Sequence, residues 1–219
     1  MTQLSVQPDR KAARGEHIRE SDGRRLRRTM NREAVLDALL ALFRDGIYQP
    51  STAEIAQRAG ISPRSLFRYF DDVDDLHRAA LNRQLHRAFP LVDLNTEPTA
   101  PTAVKIVTVV RSRARLWEEV APAARALRAA SNRHQQLARE LRRNRAFMRD
   151  QLHAVFQPEL DRFGDGGLPA IDVMCSFEAY ELLRFDQRMS RARAEAVLVA
   201  ALGALLAGPG GTIGSSAHP

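Results

Sequence analysis

Apolar side chains recur along most of the chain at the three- and four-residue spacing of an amphipathic α-helix. One stripe predicts a helix that begins at Asn31 as its N-cap and ends at Gly46. The next stretch opens with Ser51 and Glu54, which have the spacing of a capping box, and carries a short apolar face. The pattern therefore indicates short helices at the beginning of the chain.

A third helix is predicted directly after Gly60, which interrupts the apolar pattern. Ser62 is placed to cap this helix, and Pro63 occupies the first helical position, where its missing N–H costs nothing. Leu66 and Phe70 are four residues apart and face the same way, so we expect both to be buried.

The remaining pattern is also helical. Four aspartates in residues 71–75 favour the start of a fourth helix because they complement its positive end. The β-branched run 104–110 resembles a strand, but no second strand-like run exists to pair with it, so we predict a helix that Pro122 ends. A long amphipathic helix is predicted over 137–156, and two final helices over about 168–207.

The predicted fold class is all-α, with a helix-turn-helix domain followed by a larger helical domain. The expected boundaries are a disordered basic arm at 1–23, a DNA-binding domain at 24–89, a helical effector-binding and dimerisation domain at 90–207, and a disordered tail at 208–219.

The composition argues against a disulfide-bonded, membrane-spanning or secreted protein. The chain has 219 residues and a net charge of +7, and its single cysteine excludes an intrachain disulfide. The longest nearly uncharged apolar run, 196–207, is shorter than the ~20 residues that cross a bilayer. The first residues lack the apolar stretch of a secretory signal, so we expect a cytoplasmic protein.

The positive charge is concentrated in one segment. Residues 24–70 hold nine arginines and only four acidic residues. Such a local surplus is typical of a surface that meets a polyanion such as DNA.

The segment between the second and third helices has the residue types of a helix-turn-helix. Ala56 and Ala59 are small enough for two helices to cross closely, and Gly60 permits the positive φ of a tight turn. With Leu66 and Phe70 turned inward, the opposite face of the third helix projects outward and fits a major groove ~12 Å wide.

Residues 32–81 resemble the DNA-binding domain of TetR-family repressors. The resemblance is carried by four stretches in the family's order and spacing: 32–38 (REAVLDA), 42–46 (LFRDG), 51–56 (STAEIA) and 59–70 (AGISPRSLFRYF). It implies a homodimeric transcriptional regulator of the repressor type, bound to a near-palindromic double-stranded DNA operator and released by a small apolar or amphipathic ligand. The rest of the chain matches the family in general character only.

Two positions depart from the family pattern. Phe67 stands where the family usually has a tyrosine, and Val73 stands where a lysine commonly contacts phosphate. The arginine-rich stretch 24–28 has two open interpretations: it compensates by reaching the DNA backbone or minor groove, or it is a solvated leader.

These arguments nominate two sets of residues. The candidate DNA contacts are Arg24, Arg25, Arg28, Ser51, Thr52, Arg64, Ser65, Phe67, Arg68 and Tyr69, with Ser51 and Thr52 acting first as caps. The candidates for an apolar ligand pocket between helices are Trp117, Phe147, Met148, Met174, Phe177 and Tyr180.

No catalytic residue, metal ligand set or cofactor motif is nominated, so we do not expect an enzyme. Cys175 is expected to be a small buried side chain, and the Ala- and Leu-rich region 168–207 is the expected homodimer interface. Two alternatives remain open: a dimeric DNA-binding protein without an effector, and a helical enzyme whose helix-turn-helix motif is coincidental.

Overall fold

The computed structural model describes residues 10–131, 135–163 and 166–207, with side chains from Arg25 onward. Within those ranges every regular element is helical, which confirms the all-α prediction. The helices are α1 (Arg10–Arg44), α2 (Thr52–Arg58), α3 (Pro63–Leu66), α4 (Val73–Ala88), α5 (Thr102–Ser131), α6 (Gln135–Phe163), α7 (Gly167–Met174), α8 (Phe177–Glu181) and α9 (Arg191–Ala207), with a 3₁₀ turn at Phe89–Leu91 and a π-helical turn at Leu182–Asp186. The predicted tail 208–219 and residues 1–9 of the predicted arm lie outside the described residues.

The chain forms two compact units that divide between Ala80 and Leu81, inside α4. This division lies before the boundary that the prolines from Pro90 onward led us to expect. No helix in the described part of the chain combines the length and apolarity that a membrane span requires.

The first unit is built around the apolar stripe of α1. Val35, Leu39 and Phe43 are buried in it, and so is Ile55 of α2. Gly46 follows α1 with φ +85°, the left-handed conformation that favours glycine, so the predicted end of this helix is confirmed.

The start of α1 differs from the prediction. Asn31 does not cap the helix, because α1 begins at Arg10 and residues 10–23, expected to be disordered, are helical. Residues 10–30 contain no proline, and seven of these 21 residues are arginine, which has high helix propensity. The prediction depended on an apolar stripe, and the sequence of residues 10–30 carries no sustained one.

The second unit packs α5 against α6 and α9, with α7 closing the same core. Val109, Phe156, Ile171 and Leu202 are among its completely buried side chains. The run 104–110 is helical, as predicted, because it lies in α5.

Two predicted boundaries in the second unit were wrong. Pro122 lies inside α5 and does not end it, since a proline removes one main-chain hydrogen bond while Val120, Ala121 and Ala123 around it remain packed. The first of the two predicted final helices is broken at Ser176, whose hydroxyl donates to the Val173 carbonyl and accepts from the N–H of Ala179. A serine that caps a new helix thus divides α7 from α8.

A fully paired lysine lies between α5 and α6. Lys105 is 1% exposed, and its Nζ donates to Glu159 Oε2 (2.7 Å) and to the carbonyls of Pro98 (2.8 Å) and Val155 (3.2 Å). Burial alone would raise the pKa of Glu159, but hydrogen bonds from Lys105 and Thr102 and the ammonium charge hold that pKa below its usual range. All three ammonium hydrogens therefore have acceptors.

Candidate nucleic-acid interface and internal cavity

The start of α2 and the turn between α2 and α3 both have the local geometry that the sequence predicts. The Ser51 hydroxyl accepts from the Glu54 N–H (3.2 Å), and the Glu54 carboxylate accepts from the Ser51 N–H (2.8 Å), so the capping box is confirmed. The Ser51 N–H and the Ser51 hydroxyl both donate to the Glu54 carboxylate, which lowers the pKa of Glu54. Gly60 has φ +69°, which confirms the positive φ expected in the turn.

The third helix is shorter than predicted. Ser62 caps it by accepting from the N–H of Ser65 (3.2 Å), and Pro63 is in the first turn. After Leu66 the backbone tightens, because Arg68 donates to the Ser65 carbonyl and Tyr69 to the Leu66 carbonyl, each three residues back. We call residues 63–70 the recognition segment.

The recognition segment has a buried side and an exposed side. Leu66 is 0% and Phe70 2% exposed, so the prediction that both face inward is confirmed. Arg64, Phe67 and Arg68 are exposed. Neither arginine forms an ion pair with any side chain that the structure describes. Their guanidinium groups are available for a polyanion.

Helix α1 contacts the recognition segment directly. The Asn31 side chain donates to the Tyr69 hydroxyl (3.0 Å), and Arg28 Nη2 donates to the Arg68 carbonyl at 3.4 Å. The Arg32 guanidinium lies 4.9 Å from the centre of the Phe70 ring. Sequence reasoning missed Asn31 and Arg32 as supports of this segment, because no local signal relates residues so far apart along the chain.

The other predicted DNA contacts differ in how exposed their side chains are. Ser51 is exposed, Thr52, Ser65 and Tyr69 are partly exposed, and Arg25 is exposed on α1. The side chain of Arg24 lies outside the described residues.

One arginine of the basic segment is neutralised within the first unit. Arg58 Nη2 lies 2.6 Å from Asp45 Oδ2, which ties the end of α2 to the turn after α1. Arg64 and Arg68 have no such partner among the described side chains, so the recognition segment keeps both of these positive charges.

A cavity of about 380 Å³ lies within the second unit. Trp117, Met148 and Phe177 line it, and all three were among the predicted pocket residues. The other three do not: Phe147 is 49% exposed, and Tyr180 is buried with its hydroxyl donating to Glu118. Met174 packs against the core. Hydrophobicity alone cannot distinguish a cavity wall from ordinary core.

Charged residues also line the cavity. Arg128 donates to Glu178 (2.9 Å), Arg145 contacts the same carboxylate, and Arg113 is 3% exposed. Sequence reasoning missed Arg113, since an arginine in an amphipathic helix ordinarily faces solvent. Cys175 is buried as predicted, and burial raises the pKa of its thiol to about 12.

Comparisons with known proteins agree with this architecture. Residues 35–80 match the family model described as bacterial regulatory proteins, tetR family. No curated protein sequence matches the chain.

Solved structures share the fold. A transcriptional regulator from Rhodococcus sp. is 18% identical with a TM-score of 0.64, and covers 81% of this chain and 96% of its own. A TetR-family transcriptional regulator from Streptomyces coelicolor is 24% identical with a TM-score of 0.58, covering 80% of this chain and 81% of its own. A TetR transcription regulator from Haloarcula marismortui is 17% identical with a TM-score of 0.61, covering 81% and 97%.

The family model matches the segment that contains the capping box, the Gly60 turn and the recognition segment, and the solved structures match the fold over most of the chain. The resemblance to TetR-family transcriptional regulators is therefore confirmed, and it supports a DNA-binding transcriptional regulator.

Proposed function

We propose that the chain is a homodimeric transcriptional repressor, and not an enzyme, that binds a near-palindromic operator. The observation that carries this proposal is the exposed side of the recognition segment, where Arg64 and Arg68 have no described ion-pair partner. Each subunit presents this segment to a major groove. The two-fold symmetry of the dimer makes the half-sites inverted, with centres one helical turn, about 34–36 Å, or a multiple of it apart.

The proposed dimer forms through residues 168–207. Helix α9 buries Ala194, Leu198 and Leu202 within its own unit, while Val197 is 38% exposed and Ala200 is exposed. A second copy of the helix would cover this apolar face, and an isologous contact of that kind produces a closed dimer.

The proposed effector binds in the cavity of the second unit. A ligand that binds one conformation of the dimer more tightly shifts the population toward it, and release from DNA follows if that conformation places the recognition segments at the wrong spacing. Trp117, Met148 and Phe177 provide apolar contacts for such a ligand.

Selection of bound fragments from random double-stranded DNA tests the operator. We expect an enriched motif with two inverted half-sites whose centres are about 10–10.5 base pairs, or a multiple of this spacing, apart. The matched control is the double variant Arg64→Ala, Arg68→Ala, which should fold normally and fail to enrich the motif. No enrichment by the native chain, or the same motif enriched by the double variant, would contradict the proposal.

A further inference from the structure

Arg113 is a buried cation without a carboxylate partner. It lies on α5 at 3% exposure and lines the cavity. Its guanidinium donates only to neutral acceptors: the Met148 sulfur (2.9 Å), the Met148 carbonyl (3.0 Å) and the Gln151 side-chain oxygen (3.1 Å). Its buried Nε has no hydrogen-bond partner among the described residues. Burial lowers the pKa of the Arg113 guanidinium, and the nearby Asp172 carboxylate opposes this shift only in part.

The other two arginines of the wall share one carboxylate. Arg128 and Arg145 both contact the carboxylate of Glu178. Asp172 also lines the cavity, but it forms no ion pair with Arg113 among the described contacts, and burial raises its pKa. Of the three wall arginines, Arg113 is thus the one without a carboxylate contact among the described residues.

The rest of the wall is mainly apolar. Leu81, Leu116, Val120, Leu127 and Leu152 line the cavity together with Trp117. Its volume of about 380 Å³ is within the range of small-molecule pockets. An apolar body therefore fits the walls, and one negative group satisfies the cation.

We propose that this cavity binds an apolar molecule bearing a single carboxylate, and that Arg113 is the residue that selects the carboxylate. The proposal rests on the effector cavity of the proposed function and names its ligand class. A guanidinium recognises a planar carboxylate through two parallel hydrogen bonds, which makes this pairing specific as well as strong. A phosphate monoester suits the site less well, because it carries nearly two negative charges and the wall also holds the carboxylates of Asp172 and Glu178.

Binding is measured on the full chain with three matched pairs of probes: decanoate and decan-1-ol, 4-phenylbutyrate and 4-phenylbutan-1-ol, and 1-naphthaleneacetate and 2-(1-naphthyl)ethanol. Each pair has the same apolar body with and without the charge. The only tryptophan of the chain, Trp117, lines the cavity, so its fluorescence reports occupancy for the non-naphthyl pairs, and calorimetry reports all three.

At least one acid should bind about ten- to a hundredfold more tightly than its alcohol, the range expected for a hydrogen-bonded charge. Arg113→Met should abolish this preference and leave the affinity for the alcohol unchanged or higher, because methionine keeps an apolar side chain of similar reach. Arg113→Lys keeps the charge without the planar fork, so it should retain part of the preference. The matched control is Arg111→Gln, which removes an exposed arginine of the same helix outside the cavity and should leave the preference intact.

Equal affinity for acid and alcohol in every pair, no binding by any probe, or a preference that survives in Arg113→Met would overturn the inference. DNA binding, measured separately with the same probes, distinguishes it from the proposed function. Acid binding that depends on Arg113 but leaves DNA affinity unchanged supports the ligand class and contradicts release by an effector. If an alcohol releases DNA as effectively as its acid does, the result supports release by an effector and contradicts the ligand class.

Discussion

Two buried cations on α5 illustrate different uses of a charge. Lys105 is 1% exposed and donates to Glu159 and two carbonyls, while Arg113 is 3% exposed and donates to a thioether, a carbonyl and an amide oxygen. Lys105 has a buried counter-ion, and Arg113 has none among the described residues. The first arrangement is complete without a ligand. The second is a site whose missing charge a ligand can provide.

The recognition segment shows a third arrangement. Arg64 and Arg68 also lack described ion-pair partners, but they are exposed, so water stabilises their charge. Removing each of these cations should consequently affect a different property: stability for Lys105, ligand selectivity for Arg113 and DNA affinity for Arg64.

The largest effect is expected for Lys105→Met. This change leaves the Glu159 carboxylate buried without its cation, and loss of one partner of a buried pair typically costs about 3–5 kcal/mol. Denaturant unfolding should show this loss of stability. Arg111→Met, an exposed change on the same helix, should alter stability by no more than about 0.5 kcal/mol.

The pH dependence of stability gives a second test of the Lys105 pair. The pKa of Glu159 is lowered in the folded state, so its contribution is complete above the unfolded pKa of about 4.3 and is lost as the pH falls through the lower folded pKa. Native protein should therefore lose stability on acidification below about pH 4–5 more steeply than Lys105→Met. Parallel curves for the two proteins would contradict this role for the pair.

Arg64→Ala should reduce operator affinity by about 1–3 kcal/mol, or roughly five- to 150-fold, if Arg64 contacts a base. Its stability should hardly change, because the side chain is exposed. Fluorescence anisotropy with the selected operator measures the affinity. Arg142→Ala, which removes an exposed arginine of α6, should bind as tightly as the native chain. Unchanged affinity in Arg64→Ala would remove this residue from the interface.

The arginines of the arginine-rich stretch 24–28 are best tested through salt dependence. Glutamine at positions 24, 25, 27 and 28 preserves helix propensity and removes the charge. If these arginines bind phosphates, the slope of log affinity against log salt should fall by about 0.9 for each phosphate that is no longer neutralised. Arg142→Gln with Arg143→Gln is the control for an equally exposed basic pair. An identical slope after the glutamine substitutions would favour the solvated leader.

Tyr69→Phe should have a smaller effect, about 1 kcal/mol of operator affinity. The Tyr69 hydroxyl accepts a hydrogen bond from Asn31, which leaves its own hydrogen free to donate to a phosphate. Asn31→Ala should also weaken binding if the contact orients this hydroxyl. If Tyr69→Phe lowers stability but leaves affinity unchanged, the hydroxyl serves only to join α1 to the recognition segment.

The smallest change in stability is expected for Arg113→Met. Replacing a buried charge that has no counter-ion by an apolar side chain is often neutral or stabilising, so stability should stay within about 1 kcal/mol of native or rise. Thermal unfolding without added ligand measures this. A loss as large as that of Lys105→Met would mean that Arg113 is structural, and the contrast between the two buried cations would fail.

The helical class and the local geometry of the helix-turn-helix follow from the sequence alone. The Ser51–Glu54 box, the turn at Gly60 and the inward pair Leu66 and Phe70 depend on residues within a few positions of one another, so their spacing was sufficient. Apolar spacing could not predict the first part of α1, because helix propensity sets it. It could not predict that α5 continues through Pro122 either, because packing against distant residues sets that.

The packing of distant helices sets which side chains line the cavity and which cations are paired. Trp117 and Phe147 are both aromatic residues of long helices, but of the two only Trp117 lines the cavity. Lys105 meets Glu159, and Arg113 meets Met148, across the packed pair α5 and α6. Such partners are far apart along the chain, and the burial that gives their charges importance exists only once the helices pack.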